Sequence, residues 1–278
     1  MDGLDLRLPT SHRRVRVPVS PTVSALSPTA RDLVLLATMT QHTEAALADV
    51  DPEVPVVSFQ NGLVGPELAL RRGHPLLAAM LYFPADRRAP GVVALPAVPV
   101  PGTIFVGTWP SGTGPHASWL VERLLRAGFR AELEEDIVPW LRAKLLTNLG
   151  GIVVTLCESH DPDVVQAAQA EARAVWRAAR LPFREIAELV LRAGPLESVA
   201  VDGMTRVGGS TRSALARGEP LETPHLHSGI VELGLTFGVP TPVNERLIAL
   251  AERAMREKWK PNAMSIGELR ESVFSPRA

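Results

Sequence analysis

Apolar and polar positions alternate differently in the two halves of the chain. In the first half, short apolar runs are separated by polar turns, and Leu33–Ala37 and Val54–Phe59 are apolar at nearly consecutive positions. Such runs are typical of strands that are buried on both faces, as in parallel sheets. A short alternating segment, Val15–Val19, predicts an earlier strand. The same patterns predict strands at 76–83, 103–107 and 130–133 and helices at 43–50, 67–72 and 116–127.

The second half shows the 3.6-residue period of helices. From Asp136 onward apolar residues recur at helical spacing, and glycine or proline separates the segments. The alternation of strands and helices before residue 134 predicts an α/β sheet with right-handed crossovers, followed by an all-α domain. We therefore expect two domains, at 1–134 and 135–278. The helices predicted in the second domain are 137–157, 162–180, 183–192, 222–237 and 242–256.

Composition and charge exclude several classes of protein. The net charge is −1, so no basic field recruits nucleic acid or an anionic membrane. The lone Cys157 excludes an intramolecular disulfide and a cysteine-rich zinc site. His225 and His227 point to different faces of a predicted helix, so we expect no metal site. We find neither a transmembrane run of about 20 apolar residues nor the apolar core of a signal peptide, and the cytoplasm is the expected compartment.

One polar candidate follows a buried strand. Asn61 and Gly62 come directly after the strand at 54–59. In open α/β sheets this edge is where ligands bind, and an asparagine there offers both a donor and an acceptor. Asn-Gly is also a common turn dipeptide, so turn formation is the alternative interpretation.

A second candidate lies on the predicted helix at 137–157. Trp140, Lys144 and Asn148 are spaced four residues apart, which places them on one face at steps of about 6 Å along the axis. Lysine is scarce here, since only Lys144, Lys258 and Lys260 stand among 29 Lys and Arg residues. A lysine on a mostly apolar helix either lines a cleft or extends its ammonium group to solvent. In a cleft, partial desolvation lowers the pKa of a lysine toward neutrality, which suits a general acid.

A third candidate is the polar segment between Ser210 and Glu222. Glu222 stands at the start of a predicted helix, where the helix dipole favours a carboxylate, so capping is the alternative to ligand binding. The glycine-rich segment at 107–114 fits neither a dinucleotide-binding motif nor a P-loop, and it indicates a turn.

Taken together, these segments resemble the ketopantoate reductase family (2-dehydropantoate 2-reductases). The resemblance covers most of the chain and depends on the order and spacing of its blocks. It implies a truncated Rossmann-type parallel sheet, which is an incomplete dinucleotide-binding domain, followed by a helical C-terminal substrate domain. The blocks are Leu33–Ala37 with Thr43-Glu44, Gln60-Asn61-Gly62, Trp140-x-x-x-Lys144-x-x-x-Asn148, Ser210, Gly218-Glu219-Pro220-Leu221-Glu222 and Gly238–Asn244.

The resemblance implies an activity and roles for individual residues. The implied reaction is the NADPH-dependent reduction of a small-molecule 2-oxo acid to the 2-hydroxy acid, as in pantothenate biosynthesis. The oligomeric state is open, with a homodimer as the candidate. Lys144 matches the general acid of the family. Asn61 and Asn148 match positions that orient substrate and nicotinamide, and Ser210 and Glu222 match residues that hold the substrate. We expect these five side chains to line a cleft between the two domains.

The sequence also departs from the family pattern. Family members begin with a strand, a G-x-G-x-x-G turn and a helix that bind the pyrophosphate, whereas Asp2–Leu6 already resembles the next segment. Met39 stands where the family usually has a lysine near the cofactor phosphates or substrate, so it is a cofactor candidate by position only. Ile152 replaces an asparagine, and His227-Ser228 replaces an Asn-Gly pair.

Three explanations of the missing glycine motif are open. The translation start is placed too late, the chain is a truncated and inactive relative that acts as a binding or dimerisation module, or its remaining cleft binds another ligand. A hydroxy-acid dehydrogenase with a helical second domain is a further alternative. The spacings from Trp140 to Asn148 and from Ser210 to Glu222 argue against it.

Overall fold

The computed structural model describes residues 3–206 and 208–275, which divide into two compact units. The first unit contains residues 3–61, 65–141 and 187–206, and the second contains 62–64, 142–186 and 208–275. We describe each unit by itself, and the domain boundary expected at residue 134 stays a prediction.

The strands belong to the first unit and are mostly short. Three of the predicted strands, at 76–83, 103–107 and 130–133, agree with the structure to within a residue. The strands are β1 (Leu4–Leu8), β2 (Ser11–Val15), β3 (Val34–Leu36), β4 (Val56–Ser58), β5 (Leu76–Tyr82), β6 (Asp86–Ala89), β7 (Val92–Ala94), β8 (Ala97–Val98), β9 (Thr103–Thr108), β10 (Arg130–Leu133) and β11 (Glu197–Ser198).

The larger sheet has five strands in the order β10-β9-β5-β4-β3. Strands β3, β4 and β5 run parallel, as do β9 and β10, but β5 and β9 are antiparallel. The predicted α/β class is confirmed, but the prediction of a purely parallel sheet is wrong for the pair β5 and β9. These two strands are antiparallel because the proline-rich segment between them forms the short strands β6 to β8 instead of a crossover helix. Only parallel neighbours need such a crossover.

Residues of this sheet alternate between two apolar clusters. Val56 packs in a cluster with Leu47 and Ala69 on one face, whereas Val57 packs with Ile104 and Leu120 on the other. Consecutive strand residues point to opposite faces, so both faces of β4 are covered, as the apolar run predicts.

Strand β3 forms one edge of this sheet in the described part of the chain. The predicted strand at Leu33–Ala37 is shorter, and the expectation of burial on both faces is wrong for Leu35, which is 48% exposed. An edge strand has a neighbour on one side only, so less of its surface is covered.

A second sheet has the order β2-β1-β7-β6. The strand expected at Val15–Val19 is instead Ser11–Val15, which is exposed throughout, and residues 16–20 form no strand. Pro18 cannot donate a ladder hydrogen bond, which disfavours a strand there. The carboxylate of Asp202 accepts a hydrogen bond from Arg7 Nη1 at 2.9 Å, which ties this sheet to the segment after β11.

Helices lie in both units, and three of them in the described residues, α2, α4 and α7, run across a boundary between the units. The prediction at 242–256 has the observed bounds. The helices are α1 (Thr43–Ala46), α2 (Val64–Arg71), α3 (Pro115–Arg126), α4 (Ile137–Asn148), α5 (Val153–Leu156), α6 (Pro162–Ala178), α7 (Ile186–Ala193), α8 (Ser210–Arg217), α9 (Thr223–Phe237), α10 (Pro242–Arg256) and α11 (Ile266–Phe274).

Several predicted helices have other limits in the structure. The helix expected at 43–50 ends at Ala46 and continues as turns with i to i+3 hydrogen bonds. The single helix expected at 137–157 is interrupted after Asn148 at Gly150-Gly151, because two consecutive glycines disfavour a helix. Helices α8 and α11 are absent from the predictions, although Ser265 and Glu268 form a capping box at the start of α11.

The core of the second unit joins α4 and α5 to helices α6 and α8 to α11. A polar chain crosses it. Asn244 Nδ2 donates to the carbonyl oxygen of Ala168 at 3.1 Å and to Glu171 Oε2 at 2.7 Å, so its Oδ1 is free to accept. His227 Nδ1 lies 2.7 Å from that Oδ1 and therefore carries the proton. Its Nε2 is buried and has no hydrogen-bond partner among the described residues.

One stretch in the described residues, Ile137–Leu156, is long and apolar enough to cross a membrane by length and composition alone, with a mean hydropathy of 1.3. The expectation that the chain has no apolar run of transmembrane length is therefore wrong by length and composition. However, 67% of this stretch is buried inside the structure, as in the core helix of a globular domain.

Candidate functional site

The loops that follow β3 and β4 start at the same edge of the large sheet, because these two strands are parallel. Gln60 connects them and is only 4% exposed. Its Nε2 donates to the carbonyl oxygen of Thr38 at 2.9 Å and to Thr43 Oγ1 at 2.8 Å, and Ser58 Oγ donates to its Oε1 at 3.3 Å. One buried amide thus holds together the ends of two strands and the start of α1.

Two candidate residues lie beside this amide in the chain. Met39 follows Thr38, Asn61 follows Gln60, and both are half-buried. The sequence predicted no role for Gln60. The feature that could have indicated one is a long amide side chain directly after a buried strand, with threonines in a neighbouring loop as possible acceptors. Gln60 therefore fixes the backbone from which Asn61 projects.

Gly65 in α2 is required by the position of Gln60. A Cβ atom at residue 65 would lie 2.1 Å from Gln60 Oε1. We expect Gly65→Ala to lower the free energy of unfolding by about 1–3 kcal/mol, as in other overpacked sites, measured by urea denaturation. Truncating Gln60 as well removes the clash, so the loss in the double variant Gln60→Ala/Gly65→Ala is smaller than the sum of the single losses.

Gly229, within α9, is the matched control for that prediction, because a Cβ atom there meets nothing within 4 Å. Gly229→Ala is expected to leave stability unchanged or to raise it by up to about 1 kcal/mol, since alanine favours a helix. Strictly additive losses in the double variant would contradict the proposed clash.

In the second unit, α4 carries a narrow polar strip. Between Arg142 and Leu149 only Lys144, Thr147 and Asn148 are half-buried, and all the other residues are buried. Lys144 and Asn148 are separated by one helical turn, so their side chains lie on the same face. This face is the one part of the helix from which polar groups could meet a ligand.

Trp140 does not belong to this strip. It is 7% exposed and packs edge-on against Phe105, with 5.4 Å between ring centroids. The guanidinium of Arg192 lies 4.6 Å from the Trp140 centroid and 4.3 Å from that of Phe105, and it pairs with Glu132 at 3.2 Å. Trp140 is therefore a core residue of the first unit, held by an edge-to-face ring contact and a cation–π contact.

The start of α8 packs on the turn that follows α4. Thr211 Oγ1 lies 2.9 Å from the position of a Cβ on Gly151, and Ser210 beside it is exposed at the first position of the helix. The first turn of α8, which carries Ser210, therefore packs beside the turn that follows α4. Glu222 is the N-cap residue of α9 and is half-buried, but its side chain makes no capping hydrogen bond. Glu222 therefore stands at the start of a helix, as the capping interpretation predicts, but without the hydrogen bond of a side-chain cap.

Lys144, Asn148, Ser210 and Glu222 thus belong to the second unit, and Met39 and Asn61 to the first. The expectation that Asn61 lines one cleft with the other four stays a prediction. Within the ranges that the structure describes, no group of three or more His, Cys, Asp or Glu residues could hold a metal ion.

The groups at the carboxyl edge of the sheet fit one part of a nicotinamide dinucleotide. The loops at 37–43 and 59–65 carry amides and hydroxyls but no lysine or arginine. Such uncharged donors and acceptors match the carboxamide and ribose hydroxyls of a nicotinamide riboside, whereas phosphate groups favour cations. In this set Asn61 offers an amide with a donor and an acceptor, and Met39 offers an apolar side chain.

The chain was compared with known families and curated proteins. The family described as Ketopantoate reductase PanE/ApbA matches residues 1–111. A 2-dehydropantoate 2-reductase of Archaeoglobus fulgidus is 27% identical over 219 residues, which are 76% of this chain and 71% of that protein. The enzyme of the same name from Mesorhizobium japonicum is 28% identical over 283 residues, with 91% of this chain and 86% of that protein covered.

Solved structures agree in fold. A PanE/ApbA family ketopantoate reductase from Ralstonia eutropha superposes with a TM-score of 0.74 at 24% identity, covering 92% of this chain and 86% of the other. D-Mandelate dehydrogenase, solved with NADH and anilino(oxo)acetate, gives a TM-score of 0.71 at 18% identity, covering 92% and 85%. These likenesses confirm a Rossmann-like domain followed by a helical domain as the fold.

Proposed function

Because this chain is related to the ketopantoate reductases, which are oxidoreductases, we propose that it reduces a 2-oxo acid to the 2-hydroxy acid with NADPH. The observation that carries the proposal is the polar strip of α4. Lys144 and Asn148 are half-buried neighbours on a helix that is otherwise buried over Arg142–Leu149. A cation and an amide on such a strip are suited to a carbonyl oxygen that gains negative charge.

The roles follow from the chemistry of each side chain. NADPH, when bound, supplies the hydride for C2 of the substrate. The ammonium group of Lys144 donates a proton to the C2 oxygen and stabilises its developing charge. Asn148 and Asn61 orient the reacting groups through their amides. Ser210 binds the carboxylate end of the substrate, and Glu222 binds its hydroxyl end.

Ketopantoate is the first candidate substrate, because the curated relatives carry the name 2-dehydropantoate 2-reductase. The structural similarity to D-mandelate dehydrogenase keeps other 2-oxo acids in view, since mandelate is itself a 2-hydroxy acid. The proposed substrate class is therefore the 2-oxo acids, with ketopantoate as its first member to test. We propose a cytoplasmic enzyme, and a homodimer as its assembly, which light scattering during size-exclusion chromatography would test.

The direct test is consumption of NADPH by the full chain in the presence of ketopantoate and a panel of aliphatic and aryl 2-oxo acids. We expect oxidation of NADPH that depends on the added acid, and slower oxidation of NADH. A folded protein that neither binds NADPH in a titration nor oxidises it with any acid of the panel would contradict the proposal. That result would favour a non-catalytic binding or dimerisation module.

A further inference from the structure

A pocket of about 350 Å³ lies in the second unit, where α8 and α10 end. Its volume falls in the range of small-molecule sites, about 300–1,000 Å³. The floor is apolar and consists of Leu215 at the end of α8 and Ala254 and Met255 at the end of α10. Leu215 and Ala254 are 2% and 0% exposed, so the floor is part of the packed core and is preformed.

One wall of the pocket is an oriented aromatic ring. Trp259 Nε1 donates to Glu257 Oε2 at 3.0 Å, and the guanidinium of Arg253 lies 5.1 Å from the ring centroid. Arg253 and Trp259 also line a separate depression of about 290 Å³, so the indole stands between the two. The ring is held before any ligand arrives, which lowers the entropic cost of stacking on it.

The rim of the pocket is cationic. Lys258 and Lys260, two of the three lysines in the chain, line it. Neither makes an ion pair within residues 3–206 and 208–275, and Lys260 Nζ has only a long contact of 3.5 Å with the carbonyl oxygen of Ala216. The carboxylate at the same rim, Glu219, is already paired with Arg217 at 2.8 Å.

We propose that this pocket binds a small organic anion, in which an aromatic or aliphatic body rests on the apolar floor and against Trp259. A carboxylate or phosphate group of this ligand meets Lys258 and Lys260 at the rim. The charges at the rim favour an anion over a cation. The two lysines make no ion pair in the described residues, whereas the negative charge of Glu219 is already balanced by Arg217. None of the residues that line the pocket is a candidate catalytic or substrate residue, and the proposal does not depend on the proposed reductase activity.

The test uses two fluorescent probes of similar shape, the anion anilinonaphthalenesulfonate and its neutral counterpart phenylnaphthylamine. We expect the double variant Lys258→Gln/Lys260→Gln to bind the sulfonate about fivefold more weakly, as loss of two exposed charge contacts implies. Binding of the neutral probe should stay within about twofold of wild type. Trp259→Leu should weaken both probes, because it removes the shared aromatic wall.

The matched control is Arg31→Gln/Arg126→Gln, which removes two exposed cations from the first unit. Equal weakening by this control, or unchanged sulfonate binding in the lysine variant, would overturn the proposal. Displacement of the sulfonate by NADPH with equal affinity from wild type and from Lys258→Gln/Lys260→Gln would also overturn it, because the probe would then occupy a site without these lysines. Competition by benzoate identifies the anionic group of the ligand as a carboxylate, and competition by phenyl phosphate identifies it as a phosphate. If neither compound competes with the sulfonate, the proposed ligand class is wrong.

Discussion

We expect Lys144→Ala to lower kcat for the proposed reduction of a 2-oxo acid by about 10²–10⁴-fold, the range for loss of a general acid. In the proposed role the ammonium group acts on the oxygen that gains charge as the carbonyl is reduced, so it contributes more to the transition state than to substrate binding. KM should therefore change much less than kcat. Steady-state kinetics over a range of pH, with NADPH saturating, measure both constants.

Two further variants separate this chemical role from a structural one. Thr147→Val alters the same half-buried strip of α4 without removing the cation, so it should keep kcat within about threefold of wild type. Added methylammonium should restore part of the activity of Lys144→Ala, because it returns a proton donor to the vacated space. Full activity in Lys144→Ala, in a variant that unfolds like wild type, would remove Lys144 from the proposed role.

Acidification destabilises the protein through His227. Burial lowers the pKa of this histidine from 6.5 to about 4, while its hydrogen bond to Asn244 acts weakly in the opposite direction. The unfolded chain therefore takes up a proton below pH 6.5, which the folded protein accepts only near pH 4. The stabilisation is complete above pH 6.5 and is lost as the pH falls through this window. Its size is about 3 kcal/mol, at about 1.4 kcal/mol per pKa unit.

The variant His227→Asn isolates this effect. An asparagine keeps a donor toward Asn244 Oδ1 but cannot take up a proton. We expect its free energy of unfolding, from urea titrations between about pH 7 and pH 4, to fall less steeply than that of wild type. His160→Asn, at an exposed histidine of the same unit, should keep the wild-type slope. Parallel curves for wild type and His227→Asn would show that His227 does not cause the loss.

Local sequence predicts most elements where the periodic pattern continues to a clear end. Helix α10 has its predicted bounds because proline starts it and its apolar positions recur at helical spacing up to Arg256. The helix expected from Ile137 to Cys157 is interrupted because Gly150 and Gly151 disfavour helix and lie close against Val165 and Thr211. Apolar periodicity alone does not report this close approach of other helices.

In the candidate site, too, local sequence predicts some features and tertiary contacts decide the others. The spacing of Trp140, Lys144 and Asn148 predicts one helical face, but burial separates the tryptophan from the other two residues. Arg192, about 50 residues further along the chain, forms the cation–π contact with Trp140. Gln60 acquires its role only when Thr38 and Thr43 reach it from a neighbouring loop.

The sequence by itself determined that an α/β part precedes a helical part, and which positions of α4 are polar. Both follow from the local spacing of the apolar residues that are buried on folding. Only the tertiary structure decided that β5 and β9 run antiparallel, that Leu35 lies at an exposed edge and that His227 is buried and neutral. These features depend on which distant segments become neighbours. Such contacts join residues that lie far apart in the sequence, so no local pattern of apolar and polar positions predicts them.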